Sequence, residues 1–357
     1  MAMNLGLVGL PEVGKATIFR LLTGLLPEKA PNRNGIAYGI APVRDPRVDR
    51  LVEMYHPKKM RYAEFEMALP PDVTPNAARS AEWIDPLRNV DAYLHVVRAF
   101  ESPSVFHLEG SVDPARDVEL VEMEFLLADM AMAEKRISRM AKEATKKTAA
   151  QHEYEEGVLR KCTAHLEAEK SLRTLAFNDE ELRHIRSLQF LTLKPLVVVF
   201  NVGEDVEAAR KALAPLAESL HGQGATVVYL SAAIESELCE LGPAEREAFM
   251  ADLGIAEPAA HRLSRAAYDC LGLISFFTVG EDEVRAWPAR KGTLAPEAAG
   301  KIHSDLERGF IRAETIRYDD LVKSGSEKAA KEANLQHVNG KEYVVQDGDV
   351  LHIRFNV

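Results

Sequence analysis

The sequence predicts an α/β protein in which a parallel sheet is interrupted by a helical hairpin and followed by a separate α+β module. Three observations predict it. Short apolar runs alternate with helical stretches up to about residue 116; charged, helical periodicity then takes over to about 194; and the strand-and-helix alternation resumes at "LKPLVVVFNVGED" before the tail turns to hairpin signals.

The first element is "NLGLVGL", a buried strand, and "KATIFRLLTGLL" after the glycines is a helix. Between them lies "GLPEVGKATIF", which is almost a phosphate-binding loop. Such a loop has the spacing G-x-x-x-x-G-K-[ST], because backbone N–H groups wrap the phosphates, the lysine reaches them and a hydroxyl holds Mg²⁺. Gly9, Gly14 and Lys15 fit, and Ala16 does not, since it has no oxygen. The candidate nucleotide contacts are therefore Gly9, Pro11, Glu12, Val13, Gly14, Lys15, Ala16 and Thr17. Thr17 is one residue late, and a step along a helix turns a side chain by about 100°, away from the metal.

"EFEMAL" and "VDAYLHVV" read as the next strands. Residues 117–194 are expected to form a coiled-coil hairpin with Leu120, Met123, Leu127, Met130, Ile137 and Met140 on its apolar face. Lys142, Lys146 and Lys147 make its tip basic. A charged run on a long helix needs no partner, although it also suits an RNA or ribosome contact. After the hairpin, "LKPLVVVFNVGED", "VEAARKALAPLAESLHGQ" and "TVVYLSA" read as strand, helix and strand. The expected domains are thus 1–116 with 195–275, the hairpin 117–194, and a module at 276–357. In that module a helix after Pro296 precedes Asn339-Gly340 and Asp347-Gly348 turns and an alternating last strand.

Composition narrows the function. With 46% hydrophobic and 28% charged residues the chain is globular in type. A net charge of −11 argues against coating nucleic acid by charge, and no motif suggests sequence-specific DNA binding. No apolar run approaches the roughly 20 residues of a membrane helix, and the start has no cleavable leader pattern, so a cytoplasmic protein is expected. Cys162, Cys239 and Cys270 lack metal or disulfide spacing, and His303 with Asp305 supplies two ligands where a site needs more.

These pieces resemble the YchF family of Obg-like P-loop ATPases. The resemblance rests on "GLPEVGKATIF", "HLEGSVDPARDVE", "NVGED", "SAAIESEL" and, above all, the tail from "FFTVGEDEVRAW" through "APEAAGKIHSDLERGFIRAE" to "YVVQDGDVLHIRFNV". It implies a P-loop NTPase domain of the TRAFAC G-domain type, a C-terminal TGS domain of β-grasp form, and a role around the ribosome. It also implies ATP or ADP as the ligand rather than GTP. Guanine-binding loops read N1–H and N2–H₂ with an aspartate, whereas here Asn201, Val202 and Glu204 follow the family's N-x-x-E pattern, with Ser231 and Ala232 closing the base pocket.

Against that pattern, one half of the site is altered. Ala16 replaces a metal-binding serine, and the nearest equivalent of a switch threonine is Arg33. Met67 and Pro70 are expected at the positions of the family's aspartate and glycine, and a glycine-free stretch replaces its switch. Glu12, where the family has asparagine, either repels phosphate or faces solvent. The role of Mg²⁺ is therefore open. The expected function is adenine-nucleotide binding with weak or absent hydrolysis, acting on a ribosome or RNA partner through the hairpin and TGS domain. The alternatives are a Mg²⁺-dependent enzyme using Glu66 or Asp72 as a relocated carboxylate, and a scaffold that binds no nucleotide.

Overall fold

A computed structural model describes residues 3–71, 84–143 and 149–356; the side chains of residues 143 and 149–151 are not described. Lys146, Lys147, Asp72 and most of the altered switch stretch lie outside the described residues. The chain divides into two compact units, residues 1–40 with 66–266 and residues 41–65 with 267–357.

The first unit is built on a seven-stranded sheet of order β2-β3-β5-β1-β6-β7-β8. Its strands are β1 (Asn4–Val8), β2 (Asn32–Arg33), β3 (Ile36–Val43), β5 (Ala63–Leu69), β6 (Ala92–Ala99), β7 (Leu196–Val202) and β8 (Ala225–Leu230), with β4 (Lys59–Arg61) belonging to the other unit. The five strands from β5 to β8 are parallel. Such a sheet is covered on both faces, which is why β6 and β7 are apolar almost without alternation and buried throughout. Helix α1 (Lys15–Thr23) follows β1, and α2 (Pro46–Tyr55) follows β3 with Asp45 as its cap.

The hairpin consists of α3 (Pro114–Glu143) and α4 (Ala149–Glu167). Its buried face is the expected one at Met130, Ile137 and Met140 but not nearer the start of α3. Leu120, Met123 and Leu127 are exposed, and the core residues of α3 are Val118, Val121, Phe125, Leu126, Ala133 and Met140. Leu126, Ala133 and Met140 pack with Val158, Leu159, Cys162 and Leu166 of α4, and also with Leu172, Ile185 and Phe190 beyond it. The returning chain, including α5 (Asp179–Ile185), therefore shares the hairpin core. One buried carboxylate fixes this return. Asp129 of α3 accepts from the backbone N–H groups of Leu191 and Thr192 at 2.9 and 2.8 Å and from the Thr192 hydroxyl at 2.9 Å. Burial still raises its pKa, against those donors.

The second unit holds a six-stranded sheet of order β12-β11-β13-β9-β10-β4. Its further strands are β9 (Leu273–Thr278), β10 (Glu283–Arg290), β11 (Phe310–Arg317), β12 (His337–Asn339) and β13 (Asp349–Phe355). The helix Ala295–Ile302 lays Ala295, Ala298 and Ala299 on Phe276, Trp287 and Phe310, so the aromatic residues of the tail are core. This is the β-grasp arrangement expected of a TGS domain. Residues 41–65, counted with the nucleotide domain by sequence, pack here instead. Lys59–Arg61 pairs with Glu283–Arg285, and Arg47 binds Asp347 at 2.7 Å while lying 5.0 Å from the centre of the Phe277 ring.

Replacing Asp129 by alanine strands two buried N–H groups. Destabilisation of about 3 kcal/mol is expected, read as a lower urea midpoint, whereas a loss below about 1 kcal/mol would remove the hub role.

Candidate functional site

The glycine loop lies where the fold demands, between the carboxyl end of β1 and the start of α1. Its shape rests on two glycines. A side chain at Gly9 (φ 140°) would meet the Val96 carbonyl at 2.3 Å, and one at Gly14 (φ 101°) would meet the Asn201 amide nitrogen at 2.5 Å. Glu12 adopts φ 60° without glycine's freedom, and its side chain is exposed. Val13 is buried, and Pro11 is half-buried.

Lys15 is buried, and its ammonium donates to the carbonyls of Gly9 and Leu10 at 2.8 and 2.5 Å. A cavity of about 440 Å³ opens beside it, lined by Glu12, Gly14, Lys15, Ala16, Thr17, Glu28, Asn32 and Leu69–Pro71 among others. Thr17 therefore shares this cavity with Ala16.

Asn201 joins two loops. It is buried; its amide nitrogen donates to the Val13 carbonyl at 2.9 Å and its oxygen accepts from the Ala232 N–H at 3.0 Å. It is a strut between the glycine loop and the turn after β8. Val202 is core, packed in the sheet cluster, so it covers no ring. Ser231 caps α6 (Ala232–Glu240), its hydroxyl facing the Ile234 N–H. Glu204 is exposed and borders a second cavity with Ser231.

Three other candidates are placed by their strands. Met67 pairs opposite Leu5 and is fully buried, so it does not reach the loop; the residues at the carboxyl end of β5 are Leu69, Pro70 and Pro71. Glu66 pairs opposite Asn4, at the far end of β1 from Gly9, roughly 16 Å away at about 3.3 Å per residue. Arg33 is exposed and stacks over Tyr38 at 5.4 Å, outside the residues lining the cavity.

Sequence reasoning passed over two buried groups near the loop. Arg98 pairs with Asn201 in the sheet and donates to the carbonyls of Phe100, Ser102, Val105 and Phe106, fixing the segment after β6. His95, on the same strand, is fully buried with an unpartnered Nδ1. Burial pushes its pKa down to about 4, with Lys15 and Arg173 adding to the effect and Glu122 opposing it. Neither has a motif, and only their place beside the loop marks them.

A glycine loop between a strand and a helix of a parallel sheet, with a buried lysine and an asparagine strut, defines a protein of the P-loop nucleotide-binding class. Residues 273–356 match the family described as "YchF-GTPase_C: Protein of unknown function (DUF933)". The chain is 43% identical to the Ribosome-binding ATPase YchF of Bacillus subtilis (strain 168), over the full length of both. It is 35% identical to Obg-like ATPase 1 of Oryza sativa subsp. japonica, covering 99% of this chain and 92% of that protein. The solved structure of the Schizosaccharomyces pombe YchF GTPase is 30% identical and covers 99% of this chain and 98% of its own, with a TM-score of 0.86. The chain belongs to the YchF family.

The strut and the histidine each give a test. Asn201→Ala leaves the Val13 carbonyl and the Ala232 N–H unpaired, and a loss of about 2–4 kcal/mol in denaturant unfolding is expected. For His95 the folded pKa lies below the unfolded 6.5, so between pH 6.5 and 4 the unfolded chain takes up a proton that the native chain does not, and stability falls with pH. His95→Leu should lessen the stability lost between pH 7 and 5 by about 2 kcal/mol. Equal losses in the two proteins would show that another group titrates.

Proposed function

We propose that this chain binds an adenine nucleotide, ATP or ADP in preference to GTP, with little dependence on Mg²⁺ and little or no hydrolysis. In this reading it acts in the cytoplasm on the ribosome, through the hairpin and the C-terminal domain. The observation that carries it is the contrast within one cavity. The framework that cradles phosphate is complete, with Gly9, Gly14, Lys15 and the Asn201 strut, while Ala16 and Leu69–Pro71 stand where the metal's oxygen donors would be sought.

Nearly all catalysis of phosphoryl transfer is positioning and charge stabilisation, so those substitutions support a rate lower by orders of magnitude. Glu12 and Glu28 border the same cavity as anions, which supports weak rather than tight phosphate binding. Preference for adenine rests on the N-x-x-E resemblance of Asn201 and Glu204. Ribosome association is supported by the names of the relatives. The relocated-carboxylate alternative gains nothing from Glu66, whose register holds it at the wrong end of the sheet.

Calorimetric titration of the nucleotide-free protein with a non-hydrolysable ATP analogue and with GTP, each with Mg²⁺ and with EDTA, tests this. The ATP analogue should bind more tightly than GTP, with affinities in Mg²⁺ and EDTA agreeing within about threefold. Lys15→Ala should weaken binding by about tenfold or more. Ala16→Ser should introduce Mg²⁺ dependence. Binding that needs Mg²⁺ in the unaltered chain would overturn the metal-independent reading, and no binding at all would leave a scaffold. Failure to co-sediment with ribosomes under any nucleotide condition would overturn the partner.

A further inference from the structure

Two apolar features at the root of the hairpin play no part in the nucleotide site. One is Phe106, 73% exposed and the most exposed large hydrophobic residue among the described ones. The other is a stripe on α3, Leu120, Met123 and Leu127, which its spacing predicts as core and the fold leaves in solvent. Positions i, i+3 and i+7 keep the three on one helical face. We propose that Phe106 and this stripe form a docking surface for a basic, apolar protein surface on the ribosome.

The chain on either side of Phe106 is fixed. The buried Arg98 donates to the Phe106 carbonyl at 3.2 Å and to those of Phe100, Ser102 and Val105 at 3.1, 3.4 and 3.1 Å. The next residue, His107, is also buried; its Nε2 lies 2.9 Å from a carboxylate oxygen of Asp117, and its Nδ1 accepts from the Glu109 N–H at 3.2 Å. The backbone is therefore held while the aromatic ring stands in water. A ring presented in this way loses little freedom on binding, which is what an interface anchor needs. The bond from His107 to Asp117 also ties the segment to the first turn of α3. The stripe begins three residues on, about 4.5 Å along the helix axis at 1.5 Å per residue.

Charge selects the partner. Glu101, Glu109 and Glu119 are exposed and Glu124 is half-buried, while Arg116 is the one lysine or arginine in the sequence from 101 to 127. Its guanidinium is already bound to Asp117 and to the Ser111 carbonyl. Such a surface repels the phosphates of RNA. It also repels a second copy of a chain whose net charge is −11. A protein surface with apolar groups flanked by lysine or arginine satisfies both the hydrocarbon and the carboxylates. This inference rests on the ribosome reading above and gives it a contact distinct from the basic tip of the hairpin.

The test measures binding of the full chain to purified ribosomes, and separately to protein-free ribosomal RNA, with and without a non-hydrolysable ATP analogue. Phe106→Ala and Leu127→Gln alter exposed side chains, and thermal melting checks that both variants fold. Each should weaken ribosome binding by about tenfold or more and leave binding to the RNA alone unchanged. Glu119→Lys combined with Glu124→Lys should weaken it about threefold or more and flatten its salt dependence. With Phe106 replaced by the photo-crosslinker p-benzoylphenylalanine, the crosslink should fall on a ribosomal protein. Unchanged ribosome affinity in the folded variants overturns the proposal and leaves the ribosome reading standing. A crosslink confined to RNA, or to a second copy of this chain, overturns the choice of partner. If the unaltered chain does not bind ribosomes in either nucleotide condition, the ribosome reading fails and this surface with it.

Discussion

The site depends on the two hydrogen bonds of Asn201. A glycine loop has no regular structure of its own, and its carbonyls and N–H groups must be held from outside. Val13 is held by the Asn201 amide, and the same side chain receives the Ala232 N–H, so two loops 188 and 31 residues away in sequence from Asn201 are positioned by one group. Gly14 has to be glycine for the same reason, since any side chain there would strike the strut. Because Asn201 is buried, its bonds are shielded from water and costly to leave unmade.

The rest of the first unit uses the same device on a larger scale: buried polar groups that bind backbone. Asp129 collects the chain returning from the hairpin, and Arg98 collects four carbonyls after β6. Lys194 gives its ammonium to Leu87, Arg88 and Val90, although burial pushes its pKa down to about 8. Each fixes an irregular segment that a hydrophobic contact could not orient, because dispersion has no direction and a hydrogen bond does. The hairpin and the segments beside the glycine loop are thereby tied to the sheet by specific bonds, in addition to the apolar core.

The sequence made legible whatever is local. A glycine loop between strand and helix, the apolar runs of β6 and β7, and the turns of the last module are all written in neighbouring residues. What escaped was set by distant partners. Residues 41–65 join the second unit because Lys59–Arg61 finds Glu283–Arg285, more than 200 residues on. The face of α3 was legible at Met130, Ile137 and Met140 but not at Leu120, Met123 and Leu127, because a long helix with apolar residues on two sides offers two stripes. Asp129, which marks the buried one, reads as a surface residue until its donors from Leu191, Thr192 and Arg88 are seen. Asn201 was recognised as important, but its role was invisible because its partners are backbone atoms.

The groups that hold the glycine loop and the groups that would hold a metal are physically separable. Gly9, Gly14, Val13 and Asn201 hold one another by backbone geometry, so the fold needs them whether or not phosphate arrives. A hydroxyl at position 16 would hold nothing in the protein itself, and its replacement by an exposed alanine at a helix start costs the fold nothing. Without hydrolysis, a nucleotide bound at such a site cannot act as a timer. In the reading proposed above it would act only as an effector, shifting the chain between conformations by the difference in its affinity for them. That coupling is reciprocal: whatever factor the nucleotide contributes to partner binding, the partner contributes to nucleotide binding. Under that proposal a weak phosphate affinity would be useful, because a site half-filled at working concentration responds most steeply to both nucleotide and partner.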